Sequence, residues 1–188
     1  MSMSDDDRVA QLHEMLGRLQ RELQEKKIAQ FHRRVSFGDL VTDRWENARA
    51  YGFGAGSSCY DTALILGDVK VGRETWIGPG VVLDGSGGLR IGDFCSISAG
   101  VQIYSHHTVR WANSCGVIEP DRKSTSIGNG VYVGPNSIVQ MGVTVGDRCV
   151  IGAMSLVNRD VPAGMRAWGT PARVIGPAEI YPSRRDST

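Results

Sequence analysis

The sequence predicts an all-β solenoid, a parallel β-helix of six-residue repeats with an N-terminal helical extension and one long protruding loop. Three observations carry this. First, an aliphatic residue recurs every six positions at Ile65, Val71, Ile77 and Leu83. The count slips by two across the glycine-rich stretch 84–88, then resumes at Ile91, Ile97 and Ile103. After a gap it runs through Ile127, Val133, Val139, Val145, Ile151 and Val157. Second, glycine follows the aliphatic at Gly72, Gly78, Gly92, Gly128, Gly134, Gly146 and Gly152, and one place late at Gly67. Third, a small or branched residue sits two places earlier at Val69, Thr75, Val81, Cys95, Val101, Val131, Val143 and Cys149. A period of six matches neither the 3.6 of a helix nor the 2 of a half-buried strand. It matches a solenoid in which each hexad makes one short strand and one corner. The aliphatic fills a narrow interior, the small residue fills the corner, and glycine is expected to relieve the bend.

The remaining elements follow in chain order. Residues 4–34 read as an amphipathic helix. Ser4 ahead of Asp5, Asp6 and Asp7 is a cap with an acidic first turn, and Val9, Leu12, Leu16, Leu19 and Leu23 form one apolar stripe. That stripe is expected to pack on a partner subunit or on the solenoid end. A second short helix is expected over 42–50, stopped by Gly52. The organisation is therefore a helical extension (1–52), a β-helix domain (53–176) and a flexible tail (177–188). The repeat is broken once, over 104–126, and an insertion in so regular a scaffold must protrude as a loop, where function tends to sit. Pro162 cannot extend a ladder and is expected to end the coils.

Composition narrows the functional classes. A net charge of +1 gives no electrostatic case for nucleic acid or an anionic membrane. No apolar run is long enough to span a bilayer, and the acidic start lacks the apolar core of a secretory signal, so a cytoplasmic protein without membrane insertion is expected. The cysteines Cys59, Cys95, Cys115 and Cys149 form no CxxC pair and read as free thiols of a reducing compartment. Cys95 and Cys149 occupy repeat positions and are expected to be buried small hydrophobes.

The hexads resemble those of hexapeptide-repeat acyltransferases. So does the closing segment, from Ile151-Gly152-Ala153-Met154-Ser155 through Asp160-Val161-Pro162 to Gly169-Thr170-Pro171-Ala172-Arg173. Ile103-Tyr104-Ser105-His106 with Trp111 is similar to a branch associated with surface-polysaccharide and lipopolysaccharide sugars. The resemblance covers roughly residues 36–176. It implies a left-handed helix, a homotrimer with sites between subunits, acetyl-CoA as co-substrate, and a sugar or nucleotide-sugar acceptor. A loop histidine acts as base in such enzymes, which makes His106 or His107 the candidate here, with the resemblance favouring His106. It also places Ala153 against pantetheine, Arg173 near the 3′-phosphate ADP and Tyr132 beside the thiol. Pro135 departs from the pattern, lacking an N–H that a serine there would offer.

Acetyl transfer from a thioester needs a held acceptor, a base and an oxyanion donor, and no metal. Histidine suits the base because its unperturbed pKa of about 6.5 leaves it largely neutral at cellular pH. Gly142 is a candidate oxyanion donor through its N–H. Asp84, at a corner before the glycine-rich slip, is a candidate acceptor contact, although a turn role suits it as well. Two rival readings stand beside the enzyme. A γ-class carbonic anhydrase shares this fold but needs three histidines on zinc, and only His106 and His107 lie in the solenoid. The other rival is a non-catalytic scaffold.

Overall fold

The structure, a computed structural model, describes residues 4–179. The expected tail lies, from 180 onward, outside the described residues. The chain divides into two compact units, Met1–Asp43 and Arg44–Thr188.

In the first unit, α1 spans Asp5–Phe31 and α2 spans Phe37–Val41. Ser4 caps α1 as expected. Its hydroxyl accepts from the Asp7 N–H at 3.2 Å, and the Asp7 carboxylate accepts in return from the Ser4 N–H at 3.3 Å. No residue of α1 is buried, and Val9, Leu12, Leu16 and Leu19 remain exposed. Leu23, the last residue of the apolar stripe predicted from the sequence, is part-buried. The helix α2 has no counterpart in the sequence reading; Ser36 caps it through the Asp39 N–H.

The second unit opens with α3 (Arg44–Ala50), inside the stretch 42–50 expected to be helical. The coils then follow. Strands β1 (Ser58–Cys59), β2 (Leu64–Val71), β3 (Trp76–Ile77), β4 (Val82–Ile91), β5 (Ser96–Ile97) and β6 (Gln102–Ile103) precede the loop. Within the loop lie β7 (His106–His107), α4 (Val109–Asn113) and β8 (Asp121–Arg122). Strands β9 (Thr125–Ile127), β10 (Tyr132–Val133), β11 (Ile138–Val139), β12 (Thr144–Val145), β13 (Val150–Ile151) and β14 (Leu156–Val157) continue the coils. The chain closes with β15 (Met165–Gly169) and β16 (Ala172–Pro177).

Parallel pairing in register gives the solenoid three faces. On the first, β1, β3, β5, β10, β13 and β15 stack in order. On the second, the starts of β2 and β4 stack with β6, β11 and β14. On the third, the ends of β2 and β4 stack with β9 and β12. The periodic aliphatics consequently form three interior columns. Ile77, Ile97, Val133 and Ile151 line one; Leu83, Ile103, Val139 and Val157 the second; Val71, Ile91, Ile127 and Val145 the third, all buried.

Two expectations are corrected here. The glycines after the aliphatics do not relieve a bend, for none from Gly72 to Gly152 in that set has a positive φ. They admit the next coil: a Cβ on Gly128 would stand 2.7 Å from the Asp147 backbone nitrogen, and one on Gly134 2.5 Å from that of Ala153. The bends use a left-handed residue two positions further on, such as Glu74, Gly80, Asn136 or Met154. Pro162 does not end the coils either. The Gly146 N–H reaches Val161 O, and β15 then pairs with β13 before β16 folds back antiparallel. Val161 is the last layer of its face, so no further strand asks Pro162 for an N–H.

Candidate active site

The site is built on the slip in the repeat. At Leu83 the second face turns a corner, and β4 carries extra residues before pairing resumes at Leu89. Asp84 stands at that corner with no exposed surface. One carboxylate oxygen accepts from the Ser86 N–H at 3.0 Å. The other accepts from the N–H groups of Ser105 (2.9 Å) and His106 (3.1 Å) and lies 2.5 Å from His106 Nδ1. Burial works to raise the Asp84 carboxyl, but hydrogen bonds from Ser86, Ser105 and His106 outweigh it and bring it to about 2. An ionised carboxylate can only accept, so Nδ1 carries a proton, and in the neutral ring the lone pair is then on Nε2. His106 is part-exposed, which leaves that lone pair available to an acceptor.

The glycines of the slip make room for this arrangement. A Cβ on Gly87 would stand 2.3 Å from Ser105 O and 2.8 Å from the Lys123 nitrogen. Its N–H instead donates to Ser105 Oγ at 2.8 Å. The two ends of the loop are tied together: Lys123 N–H donates to Ser105 O and Thr125 Oγ1 donates to Tyr104 O.

His107 has a different setting. Strands β7 and β8 pair antiparallel, His106 opposite Arg122 and His107 opposite Asp121. His107 Nδ1 lies 3.6 Å from Asp121 Oδ2, while Arg110 bonds the other oxygen of Asp121 at 3.2 Å. The backing of a fully buried carboxylate belongs to His106.

Two site expectations change. Asp84 is not presented to an acceptor, because its carboxylate is enclosed and fully engaged behind His106. Gly142 has no free N–H to offer an oxyanion, since it donates to the buried Thr125 hydroxyl at 2.9 Å.

The other candidates gather elsewhere. Tyr132 stands half-exposed on β10, and Ala153 lies at the corner after β13 with an N–H that has no hydrogen-bond partner among the described residues. Arg173 is exposed on β16, which joins the same sheet through β15. Tyr132 and Ala153 belong to adjacent layers of the first face and its corner, and Arg173 lies beyond β15 at the end of the same sheet, whereas Asp84 and His106 occupy the corner after the second face. One chain therefore does not bring base and cofactor candidates together. Among the described residues, no group of three His, Cys, Asp or Glu is placed to hold a metal. No helix of the described residues is long and apolar enough to cross a membrane.

Comparisons with known proteins agree with this architecture. Residues 124–159 match the bacterial transferase hexapeptide family (six repeats). Over 50 residues the chain is 48% identical to galactoside O-acetyltransferase of Escherichia coli (strain K12), covering 27% of this chain and 25% of that one. Over 82 residues it is 38% identical to 2,3,4,5-tetrahydropyridine-2,6-dicarboxylate N-acetyltransferase of Staphylococcus aureus (strain JH9), 43% of this chain and 34% of that one. The chain thus matches only a quarter to a third of the length of these curated relatives. Among solved structures, AntD, an N-acyltransferase from Bacillus cereus in complex with dTDP and 3-hydroxybutyryl-CoA, superposes with a TM-score of 0.60 at 22% identity, covering 68% and 72% of the two chains. A maltose O-acetyltransferase from Clostridium difficile 630 gives 0.58 at 23%, covering 89% and 86%. At such identities the likeness is one of fold.

Proposed function

We propose that this chain, a member of the hexapeptide-repeat acyltransferase family, moves an acetyl group from acetyl-CoA to a hydroxyl or amine of a sugar or sugar nucleotide, with His106 as general base. The observation that carries the reading is the buried Asp84 carboxylate fixed on His106 Nδ1. It sets the tautomer in which Nε2 takes the acceptor proton as the acceptor oxygen or nitrogen bonds to the thioester carbonyl carbon. The tetrahedral adduct then expels CoA thiolate, and the proton on Nε2 leaves with the thiol. The named acceptors and donors of the relatives, a galactoside, a maltose and acyl-CoA, support the substrate class.

Tyr132, Ala153 and Arg173 are the proposed acetyl-CoA contacts: aromatic surface beside the thiol, a free N–H for the pantetheine amide and a cation for the 3′-phosphate. Because they lie at a different corner from His106, the site needs a second copy of the chain, and we infer a homotrimer. The second face supports this with an outward, partly exposed row of Leu64, Val82, Ile138 and Leu156, interrupted by Gln102 between the two pairs. Cytoplasmic location and a role in surface-polysaccharide or lipopolysaccharide synthesis complete the proposal.

The test is release of CoA thiol from acetyl-CoA with a panel of sugars and sugar nucleotides. His106→Ala should lower kcat by about 10²–10⁴-fold, the usual contribution of a general base. Equal turnover by His106→Ala, or no acetyl-CoA binding by the wild type in calorimetry, would overturn it.

A further inference from the structure

The side of the β7–β8 ribbon that carries His106 holds a cation the acyl-transfer chemistry does not use. In an antiparallel pair, residues directly opposite one another project from the same face of the ribbon, about 4.5–5.5 Å apart at Cβ, and successive residues alternate faces. His107 and Asp121 obey this, meeting at 3.6 Å. His106 and Arg122, the other pair, therefore share the opposite face. Arg122 is exposed, and its side chain has no ion pair or hydrogen bond among the described residues. The contrast lies within the same loop, where Arg110 is held by Asp121. Asp84, the carboxylate on the His106 side, is buried and engaged by three N–H groups and the imidazole.

A second cation follows Arg122 in the chain. The Lys123 side chain lies along the corner at Gly142, where a Cβ would stand 2.3 Å from its Cδ and 2.9 Å from its Cε. Its ammonium group likewise has no ion pair among the described residues. Arg122 thus stands as an uncompensated positive charge on the ribbon face of His106, where the acceptor loses its proton. A neutral hexose gains nothing from it. A phosphate or carboxylate on the acceptor gains charge-assisted hydrogen bonds, and a guanidinium offers them in bidentate form.

We propose that Arg122 selects the acceptor by binding an anionic group, phosphate or carboxylate, on the sugar, so that acidic acceptors are preferred over neutral ones. This rests on the reading of His106 as the base. It differs from the acetyl-CoA phosphate contact assigned to Arg173, which lies on another sheet.

The experiment compares wild type, Arg122→Gln and Arg122→Lys by thiol release with three acceptors: methyl galactoside, galacturonic acid and a UDP-linked hexosamine. In the wild type, kcat/KM is expected to be higher for one of the two anionic acceptors, and which one it is separates carboxylate from phosphate recognition. In Arg122→Gln the ratio of kcat/KM for that acceptor over methyl galactoside should fall about ten- to a hundredfold, chiefly through KM. Arg122→Lys should recover part of the ratio, and KM for acetyl-CoA should hold. A purely structural arginine would lower all three acceptors together and lower Tm. A wild type that prefers methyl galactoside, or an unchanged ratio in Arg122→Gln, overturns the proposal while leaving acyl transfer intact. Absence of thiol release with every acceptor removes both.

Discussion

Asp84 and His106 lie 22 positions apart in sequence, and the fold makes them one unit. Asp84→Asn should therefore lower kcat strongly while acetyl-CoA affinity, measured by calorimetry, holds, because an amide no longer fixes the Nδ1–H tautomer. His107→Ala should cost far less in the same assay, its partner being a loop carboxylate shared with Arg110. The same unit has a pH signature. The folded Asp84 carboxyl sits near 2, below its ordinary value of about 3.9, so it contributes stability that is complete above the ordinary range. That contribution is withdrawn as pH falls toward about 2. In urea titrations the stability gap between wild type and Asp84→Asn should narrow progressively below about pH 4; a gap that stays constant would count against the assignment. The histidine pair was legible in the sequence because both residues sit at the loop root. The role of Asp84 was not, since an acidic residue at a corner before glycines reads equally as a turn residue, and only the slip in register turns it inward.

At the scale of the hexad, the chain pairs each coil with the next through side chains as well as strands. Asp93 accepts from the Arg73 N–H, Asn129 from that of Asp93 and Asp147 from that of Asn129, at 2.7–3.0 Å, so one corner is laced from layer to layer. At the same corner, the Thr75 N–H donates to Ser57 Oγ, the Cys95 N–H donates to Thr75 Oγ1, and the Cys95 thiol donates onward to Gly128 O. Cys95 is buried, as the repeat position implied, yet it acts as a polar link and not merely as a small hydrophobe. Gly128→Ala should destabilise by about 1–3 kcal/mol, because the added methyl meets the Asp147 carboxylate at 2.3 Å and, behind it, the Asp147 backbone nitrogen at 2.7 Å, which cannot swing away. Ile151→Ala, between Val133 and Ala167 in the interior stack, should cost about 2–5 kcal/mol. Both are read from urea midpoints at unchanged slope. The strands were legible because one inward aliphatic per hexad leaves a strong period. The reason for the glycines was not, since close approach of a neighbouring coil is a property of the stack and leaves no mark within one hexad.

Across the whole molecule, each layer touches only the layers above and below, so stability is close to a sum over neighbours. The cysteines report on it without mutation. Cys115 is exposed, while Cys59, Cys95 and Cys149 are buried, and burial pushes the thiols of Cys95 and Cys149 up. One thiol should react with a disulfide reagent at once in native protein, and the other three only as the coils open in denaturant. Rapid labelling of all four would contradict the stacking. The interruption at 104–126 was read from the broken count alone. The extra layer after Pro162 was missed because a proline stops a ladder only where another strand waits beyond it.

The two ties at the loop root, Lys123 N–H to Ser105 O and Thr125 Oγ1 to Tyr104 O, close the excursion within the coils themselves. The span from 107 to 122 then behaves as an exchangeable cassette. Its length and side chains can drift, altering which acceptor the proposed site would admit, while His106, its carboxylate and every layer of the scaffold stay as they are.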